Sequence, residues 1–180
     1  MITEQGIGDK MDKGKVILIP WTFDLKDDLI RICNLANHRF LSDRLPNPYT
    51  SADADRYLSM VKDHDEKDGI FRAVEYDGKI VGTITIEQKS GVHSIDCDIG
   101  YFIIEEYWSR GIVTEAISQI CREAFEKLDL KRITGMIFSP NIGSRRAVEK
   151  NGFVLEGICK NAIFKDGVLY DKCIYAKYRD

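Results

Sequence analysis

Apolar and polar positions change their spacing several times along the chain, and each change predicts a new element. An apolar run at residues 16–19 predicts a first strand. Helical spacing follows twice: Asp24 is positioned to cap a first helix, and Thr50 with Asp53 is typical of the start of a second. The apolar positions of the first helix are Leu25, Leu29, Ile32 and Ala36. The prolines of residues 45–49 predict irregular backbone between the two helices.

Strand spacing takes over in the middle of the chain. The runs 70–76 and 79–86 flank Asp77-Gly78, a dipeptide typical of a tight β-hairpin. A third run, residues 92–104, predicts another strand. A long helix then carries one apolar stripe: Val113, Ile117, Ile120, Cys121, Ala124 and Leu128.

The last third of the chain alternates between the two periods again. The predicted elements are a strand at residues 132–138, a helix at 142–151 ended by Gly152, and strands at 153–164 and 168–178. The order β-α-α-β-β-β-α-β-α-β-β indicates an α/β chain of the mixed (α+β) kind. Because a helix joins the strands 92–104 and 132–138, we expect that pair to be parallel with a right-handed crossover.

Length and composition narrow the class of protein. A chain of this length usually forms one domain, so we expect a single domain over residues 16–180, preceded by a flexible lead-in at residues 1–15. A net charge of −3 argues against nucleic acid as the main partner. No apolar run approaches the about 18 residues of a membrane span, and no signal peptide is recognisable, so we expect a cytoplasmic protein with no membrane partner. The cysteines (Cys33, Cys97, Cys121, Cys159 and Cys173) form no Cys-x-x-Cys pair, and we expect buried thiols and no metal.

Residues 107–116, between the third middle strand and the long helix, carry the candidate chemistry. The first N–H groups of a helix have no intrahelical partner and, with the helix dipole, form an anion site. Gly111 would leave the backbone accessible, and Ser109, Arg110 and Thr114 can add side-chain donors. An ordinary tight turn between a strand and a helix would show the same single glycine. The glycine fingerprints of phosphate-loop hydrolases and of dinucleotide-binding proteins are both missing, which leaves a diphosphate held mainly by backbone.

Three spaced motifs resemble one family, the GCN5-related N-acetyltransferases (GNAT), and within it the branch of the ribosomal-protein N-terminal (alanine) acetyltransferases. Residues 99–116 (IGYFIIEEYWSRGIVTEA) are similar to the family's acetyl-CoA motif, and residues 141–157 and 164–171 agree with its later motifs. With residues 47–50, the resemblance covers about residues 16–178. It implies a mixed, mostly antiparallel sheet with a splayed central parallel strand pair and helices on both faces. It also implies an enzyme, an acyltransferase that moves an acetyl group from acetyl-CoA directly to a primary amine.

The resemblance also implies where acetyl-CoA, the co-substrate, would bind. The pantetheine arm would lie between the two parallel strands against the backbone of Phe102, Ile103 and Ile104. The pyrophosphate would rest on Ser109, Arg110, Gly111, Ile112, Val113 and Thr114. Asn141 would bond the pantetheine, with helix capping as its other role, and Arg146 would reach the nucleotide end.

The same resemblance suggests a proton donor but no base. Ser144 matches the position where this branch places a hydroxyl near the cofactor sulfur; the alternative is a serine that bonds only to backbone. The tyrosine of many wider family members is replaced here by Val148, and the glutamate of some relatives by Ile163. The carboxylates near the expected cleft are Glu87, Asp96 and Asp98, and an ordered water could also act, so the general base is left unassigned.

The acceptor and the assembly stay open at this stage. Candidate acceptor-binding residues are Phe40, Pro48, Tyr49 and Tyr101, and the aromatic residues among them could equally belong to the core. The acceptor amine is either a polypeptide N-terminus or a small molecule. A polyamine or amine-drug acetyltransferase and a catalytically silent acyl-CoA-binding module are the alternatives, and the missing tyrosine and glutamate favour the silent module. The chain is expected to be a monomer or a homodimer.

Overall fold

The computed structural model describes residues 14–179, which form a seven-stranded sheet with helices on both faces. The strands are β1 (Val16–Pro20), β2 (Gly69–Tyr76), β3 (Lys79–Gln88), β4 (Asp96–Ile103), β5 (Arg132–Phe138), β6 (Val154–Lys165) and β7 (Val168–Tyr178). The helices are α1 (Lys26–Asn34), α2 (Ser51–His64), α3 (Ile112–Lys127) and α4 (Ile142–Lys150). The strand order is β1-β2-β3-β4-β5-β7-β6, and among these strands only β4 and β5 pair in parallel. The predicted mixed, mostly antiparallel fold is therefore confirmed; the predicted lead-in falls almost wholly on residues 1–13, outside the described part.

Alternation along β2 shows how the sheet separates two cores. Ile70 and Val74 point into the cluster formed with α3 and α4, whereas Phe71 and Ala73 point into the cluster formed with α1 and α2. Successive side chains of a strand face opposite sides of the sheet. A strand buried on both faces therefore has apolar side chains in both alternating sets of positions. We call the two sides the α3/α4 face and the α1/α2 face.

Local signals in the sequence predicted several element boundaries correctly. Thr50 caps α2 through Oγ1, which accepts from the Asp53 N–H at 3.3 Å, and Asp53 Oδ2 accepts from the Thr50 N–H at 2.8 Å. Asp77 and Gly78 have φ of 50° and 77°, the left-handed backbone that a tight hairpin requires. Gly152, with φ of 79°, follows the end of α4 as predicted.

Two predicted boundaries were wrong. The strand expected from residue 92 begins at Asp96, because residues Gly91–His93 form a 3₁₀ turn that leaves Val92 92% exposed. Asp24 does not cap the first helix: a 3₁₀ turn begins one residue earlier, with the Leu25 N–H donating to Thr22 O at 3.1 Å, so Asp24 lies inside that turn. The helix proper starts at Lys26.

The predicted parallel pair is joined over a short length only. Its register pairs Asp96 with Arg132, Cys97 with Ile133 and Asp98 with Thr134. Beyond these pairs β4 continues to Ile103 and β5 to Phe138, each still paired with its other neighbour. The resulting separation of residues 99–103 from residues 135–138 is called the gap below, and it is the splay that the family resemblance implies.

The thiols are free and mostly buried. Cys33, Cys97, Cys121 and Cys173 are buried and Cys159 is half-buried. Burial raises the pKa of Cys33 and of Cys121 to about 12, which keeps both thiols protonated at neutral pH. Within residues 14–179 no helix is long and apolar enough to cross a bilayer, and no group of three or more His, Cys, Asp or Glu side chains is arranged to hold a metal ion.

Candidate functional site

The backbone of β4 forms one wall of the gap. The Ile104 N–H donates to Val81 O of β3 at 3.0 Å, so this group is not available to a ligand. Because backbone groups alternate along a strand, Tyr101 and Ile103 turn their N–H and C=O groups toward the gap, and Phe102 turns its own toward β3. The Trp108 indole N–H donates to Ile103 O at 2.6 Å. Of the three predicted pantetheine contacts, Ile103 is therefore the one whose backbone N–H faces the gap.

The loop after β4 brings helix α3 to the end of the gap. A 3₁₀ turn at Glu105–Tyr107 is followed by two left-handed residues, Ser109 at φ 61° and Gly111 at φ 79°. The first N–H that bonds back into the helix is that of Glu115, which donates to Gly111 O at 3.1 Å. The N–H groups of the three residues before it are consequently available to an anion.

The surroundings of this helix start fit a diphosphate. A Cβ placed on Gly111 would meet no atom within 4 Å, so the backbone is open to solvent there. Ile112 is 2% exposed and anchors the helix in the core, while its N–H belongs to the free first turn. The guanidinium of Arg110 lies 5.0 Å from the Tyr107 ring centre and donates to Glu106 O at 3.0 Å. Donors from backbone and a nearby cation together make a site for an anion.

A contact that sequence reasoning missed fixes the first turn of α3. The Asn151 side chain donates from Nδ2 to Thr114 O at 3.0 Å and to Ala147 O at 2.9 Å. It thereby ties the end of α4 to the start of α3. No sequence signal distinguishes this asparagine from an ordinary helix-ending residue, since the bond joins elements far apart in the chain.

Asn141 and Ser144 lie across the gap from β4. Asn141 caps α4, with Oδ1 accepting from the Ser144 N–H at 3.2 Å. Ser144 is half-buried in the first turn, and the Tyr101 hydroxyl donates to Ser144 O at 3.5 Å. Burial raises the pKa of Tyr101 to about 12, so the phenol is neutral. Strand alternation could have placed the Tyr101 side chain on the α3/α4 face, beside Ile99 and Ile103.

The other predicted residues on α4 and the candidate bases are placed as follows. Arg146 is exposed and has no ion pair within residues 14–179, while Val148 is fully buried. Asp96 is held by Lys89 at 2.7 Å and by the Thr134 hydroxyl at 2.8 Å.

The two remaining candidate bases differ in their partners. Asp98 Oδ1 lies 3.1 Å from the ammonium of Lys89, which it shares with Asp96. Glu87 is exposed and forms no ion pair in the described part of the chain. Among Glu87, Asp96 and Asp98, Glu87 is therefore the one whose carboxylate has no ion-pair partner within residues 14–179.

The predicted acceptor aromatics do not come together. Phe40 packs against Phe138 and Tyr170, with ring centres 5.5 Å and 6.5 Å apart. Tyr49 is 6% exposed in the α1/α2 core and bonds through its backbone to Asn34. Tyr101 lies on the opposite face of the sheet, so Phe40 is the predicted aromatic that remains beside the gap on the α1/α2 face.

Residues 35–49, called the strap below, cross the α1/α2 face from one side of the gap to the other. At one end the Asn37 side chain bonds to Glu105, just after β4. At the other end the Lys165 ammonium, 8% exposed, donates to Leu41 O at 2.8 Å and to Asp43 at 2.8 Å. The strap therefore joins the two halves of the sheet over the end of the gap.

Known proteins resemble this chain in sequence and in fold. Residues 15–154 match the family model described as "Acetyltransferase (GNAT) domain". The uncharacterized N-acetyltransferase YoaA of Bacillus subtilis (strain 168) is 35% identical over 63% of this chain and 64% of its own length, and the first two curated relatives are covered to this same 64%.

One further relative and one solved structure of similar fold are named for ribosomal proteins. The ribosomal-protein-serine acetyltransferase of Escherichia coli (strain K12) is 25% identical over 58% of each chain. The solved structure of RimL, described as a ribosomal L7/L12 α-N-protein acetyltransferase in complex with coenzyme A, superposes with a TM-score of 0.80 at 17% identity, over 91% of this chain and 93% of that one. The family model spans most of the described sheet and the helix start at the gap, and the chain belongs to the GNAT acetyltransferase domain family.

Proposed function

We propose that this protein transfers an acetyl group from acetyl-CoA to the α-amine of a polypeptide N-terminus. The observation that carries the proposal is the junction of the gap with the free first turn of α3. One end of the site can hold a diphosphate, and the other is a pair of diverging strands that can hold an extended arm between them.

The binding of acetyl-CoA follows from these two features. Its pyrophosphate would accept from the N–H groups of Ile112, Val113 and Thr114, next to the open backbone of Gly111. Its pantetheine arm would pair with β4 at Ile103 and reach Asn141 on the far side. Support comes from RimL, whose solved structure holds coenzyme A.

The groups around the gap suit direct transfer of the acetyl group. Acetyl-CoA supplies the thioester; the N–H of Tyr101, which also faces the gap, would donate to the thioester carbonyl oxygen as that oxygen becomes negative. The Ser144 hydroxyl would donate a proton to the departing thiolate. No covalent intermediate with the enzyme is needed, so the amine attacks the thioester carbon directly.

The state of the candidate bases favours an α-amine over a lysine side chain. An α-amine with a pKa near 7.7–8.0 is about a tenth neutral at pH 7, whereas a lysine amine with a pKa near 10.4 is about 0.04% neutral. Asp96 and Asp98 are engaged by Lys89, which leaves exposed Glu87 or water to take the proton. Such a weak base suffices for an amine that is already partly neutral. The ribosomal-protein names of two relatives agree with this acceptor.

Two measurements on the same protein test the proposal. Calorimetry with coenzyme A measures binding, and release of free thiol from acetyl-CoA in the presence of N-terminal peptides measures transfer. We expect Ser144→Ala to bind coenzyme A as the unchanged protein does and to release thiol about 100-fold more slowly, the usual scale for a lost general acid. Ser118→Ala, an exposed serine on α3, is the control.

Each outcome has a distinct meaning. Tight coenzyme A binding with no thiol released for any amine would identify a silent acyl-CoA-binding module. Full turnover in Ser144→Ala would show that Ser144 is not the proton donor. No binding of coenzyme A would end the proposal as a whole.

A further inference from the structure

The helices do not cover the α1/α2 face of the sheet next to the gap, where the strap crosses it through Phe40. Helices α1 and α2 pack on β2 and β3, with Phe71, Ala73 and Ile80 in their cluster. On β5 and β7, by contrast, side chains of this face stay open to solvent. We call these the acceptor floor: Met136, Phe138, Tyr170, Lys172 and Ile174, of which Met136 is 50% exposed and the rest half-buried.

The acceptor floor is contiguous with the site of transfer. Their alternation places all five side chains opposite Ile137, Cys173 and Tyr175, which lie in the α3/α4 core. Phe138 ends β5, and three residues later Asn141 begins the turn that carries Ser144. A polypeptide whose amine enters the gap from the α1/α2 face can therefore lie along this floor.

Three cations lie where the acceptor floor meets the strap. Lys172 is the register partner of Phe138. The Arg39 guanidinium lies 4.9 Å from the centre of the Phe40 ring, and that ring packs on Phe138. Arg44 is exposed on the same strap. None of these three cations forms an ion pair within residues 14–179.

The carboxylates of the strap and of β7 do not neutralise these cations. Asp43 is bound by Lys165 at 2.8 Å. Asp171 is bound by Lys160 at 2.7 Å, and its side chain lies on the other face from Lys172. Glu105, bonded to Asn37 at the other end of the strap, is the nearby carboxylate that forms no ion pair in the described residues. The three cations beside Phe138 outnumber it, so this edge carries a local excess of positive charge on a protein whose net charge is −3.

From this arrangement we propose that the acceptor is a polypeptide N-terminus whose next few residues carry carboxylate side chains. The inference rests on the proposed function and narrows its substrate. With its amine at the gap, an extended segment would lie over the acceptor floor beside the Phe40 ring and place its carboxylates near Arg39, Lys172 and Arg44. The same cations would repel a polyamine, so this inference also decides against the polyamine alternative. Attraction between exposed charges weakens with salt, which gives the proposal a second signature.

A matched set of peptides tests the inference. The peptides share the same first residue and differ in having glutamate, glutamine or lysine at positions two to six; spermidine is the polyamine probe. Thiol release gives kcat/KM for each. We expect the glutamate peptides to exceed the lysine peptides at least tenfold at low salt, with the preference shrinking as salt rises.

Charge-reversed variants locate the effect. Arg39→Glu combined with Lys172→Glu should remove or invert the preference, and the milder Arg39→Gln with Lys172→Gln should reduce it while keeping the fold, checked by circular dichroism. Lys62→Glu, an exposed cation on α2, is the matched control and should leave the preference unchanged.

The outcomes separate the two proposals. If no peptide releases thiol, the proposed function fails. If peptides react but lysine peptides or spermidine react as well as glutamate peptides, the acetyltransferase stands and the acidic acceptor is overturned. A preference that survives both variant pairs would also overturn it, since other residues would then read the charge.

Discussion

At the residue scale, the loop before α3 depends on two backbone conformations that side chains seldom adopt. Ser109 has φ of 61° and Gly111 φ of 79°. A left-handed residue with a Cβ costs about 1–2 kcal/mol, so Ser109 stores strain that Gly111 avoids. Strain of this kind persists where the surrounding structure fixes the backbone, as Trp108 does here through Ile103 O.

Gly111→Ala tests whether this backbone holds the coenzyme. We expect the variant to lose about 1 kcal/mol of stability from the left-handed strain. We also expect it to bind coenzyme A at least tenfold more weakly, because the methyl group would fill the open space beside the free N–H groups of residues 112–114, called the cradle below. Gly78→Ala is the control: Gly78 has φ of 77° and, like Gly111, no atom within 4 Å of a built Cβ. Thermal melting and calorimetry measure both. Equal coenzyme affinity in the two variants would contradict the assignment of the cradle.

Tyr101→Phe tests the contact across the gap. The hydroxyl bond to Ser144 O is long at 3.5 Å, so we expect a stability change below about 1 kcal/mol. We expect kcat to fall about tenfold with little change in coenzyme affinity, because the turn that carries Ser144 loses its tie to β4. Tyr76→Phe is the control, since Tyr76 packs its ring on Tyr107 and its hydroxyl forms no hydrogen bond within residues 14–179. An unchanged kcat in Tyr101→Phe would show that the contact between Tyr101 and Ser144 O does not contribute to turnover.

What the sequence predicted of single residues followed from local rules. The capping of α4 by Asn141 and the left-handed glycines depend on neighbours in the chain and were predictable. The sequence suggests Tyr49 as an acceptor-binding residue because aromatic character alone does not distinguish core from surface. Its burial follows from Asn34, which bonds to the Tyr49 backbone across the α1–α2 connection.

At the element scale, a buried ion cluster joins β2 to α3 and to the end of α2. Arg72 is 2% exposed and donates to Asp65 at 2.8 Å and to Glu123 at 2.5 Å. Lys127 binds Glu123 at 2.8 Å. Burial alone would raise the pKa of Glu123, but the hydrogen bonds from Arg72 and Lys127 outweigh it and hold that pKa below its usual value.

Glu123→Gln tests the pH dependence of this cluster. A carboxylate whose pKa is lower folded than unfolded stabilises the fold above its unfolded pKa, near 4.3, and this contribution is lost as the pH falls through the folded value. We therefore expect the variant to be less stable by about 1–3 kcal/mol at pH 7 and the difference to narrow below about pH 4. Urea unfolding at several pH values measures it. Exposed Glu126→Gln should stay within about 0.5 kcal/mol of the unchanged protein, and a difference independent of pH would contradict the account.

Element ends were less predictable than element types. Alternation near residue 92 looked like the start of a strand, yet β4 begins where pairing is possible: Cys97 meets Gln88 of β3 and Asp96 meets Arg132 of β5. The first helix was expected to include Ala36 but ends at Asn34, whose side chain serves Tyr49 instead. Both ends are set by partners distant in the chain, which a local pattern does not contain.

At the scale of the whole molecule, three register pairs and the strap join the two halves of the sheet beside the gap. We therefore expect bound coenzyme A to act as a further connection. At a concentration of 100 times its Kd it should raise the free energy of unfolding by about 2.7 kcal/mol. Hydrogen exchange should slow at Tyr101 and Ile103 and stay unchanged on β1. Protection spread evenly over the sheet would argue against binding in the gap.

The bond between Lys165 and the strap spans 124 residues to Leu41 and 122 to Asp43. Chains are synthesised from the N-terminus, and N-terminal parts fold first. The elements that form the coenzyme cradle, from β1 to α4, are therefore complete on a growing chain before β6 supplies Lys165. A chain that stops after α4 would keep the cradle's residues but hold its strap only through Asn37 and Glu105, so the acceptor side is completed later in synthesis than the cradle.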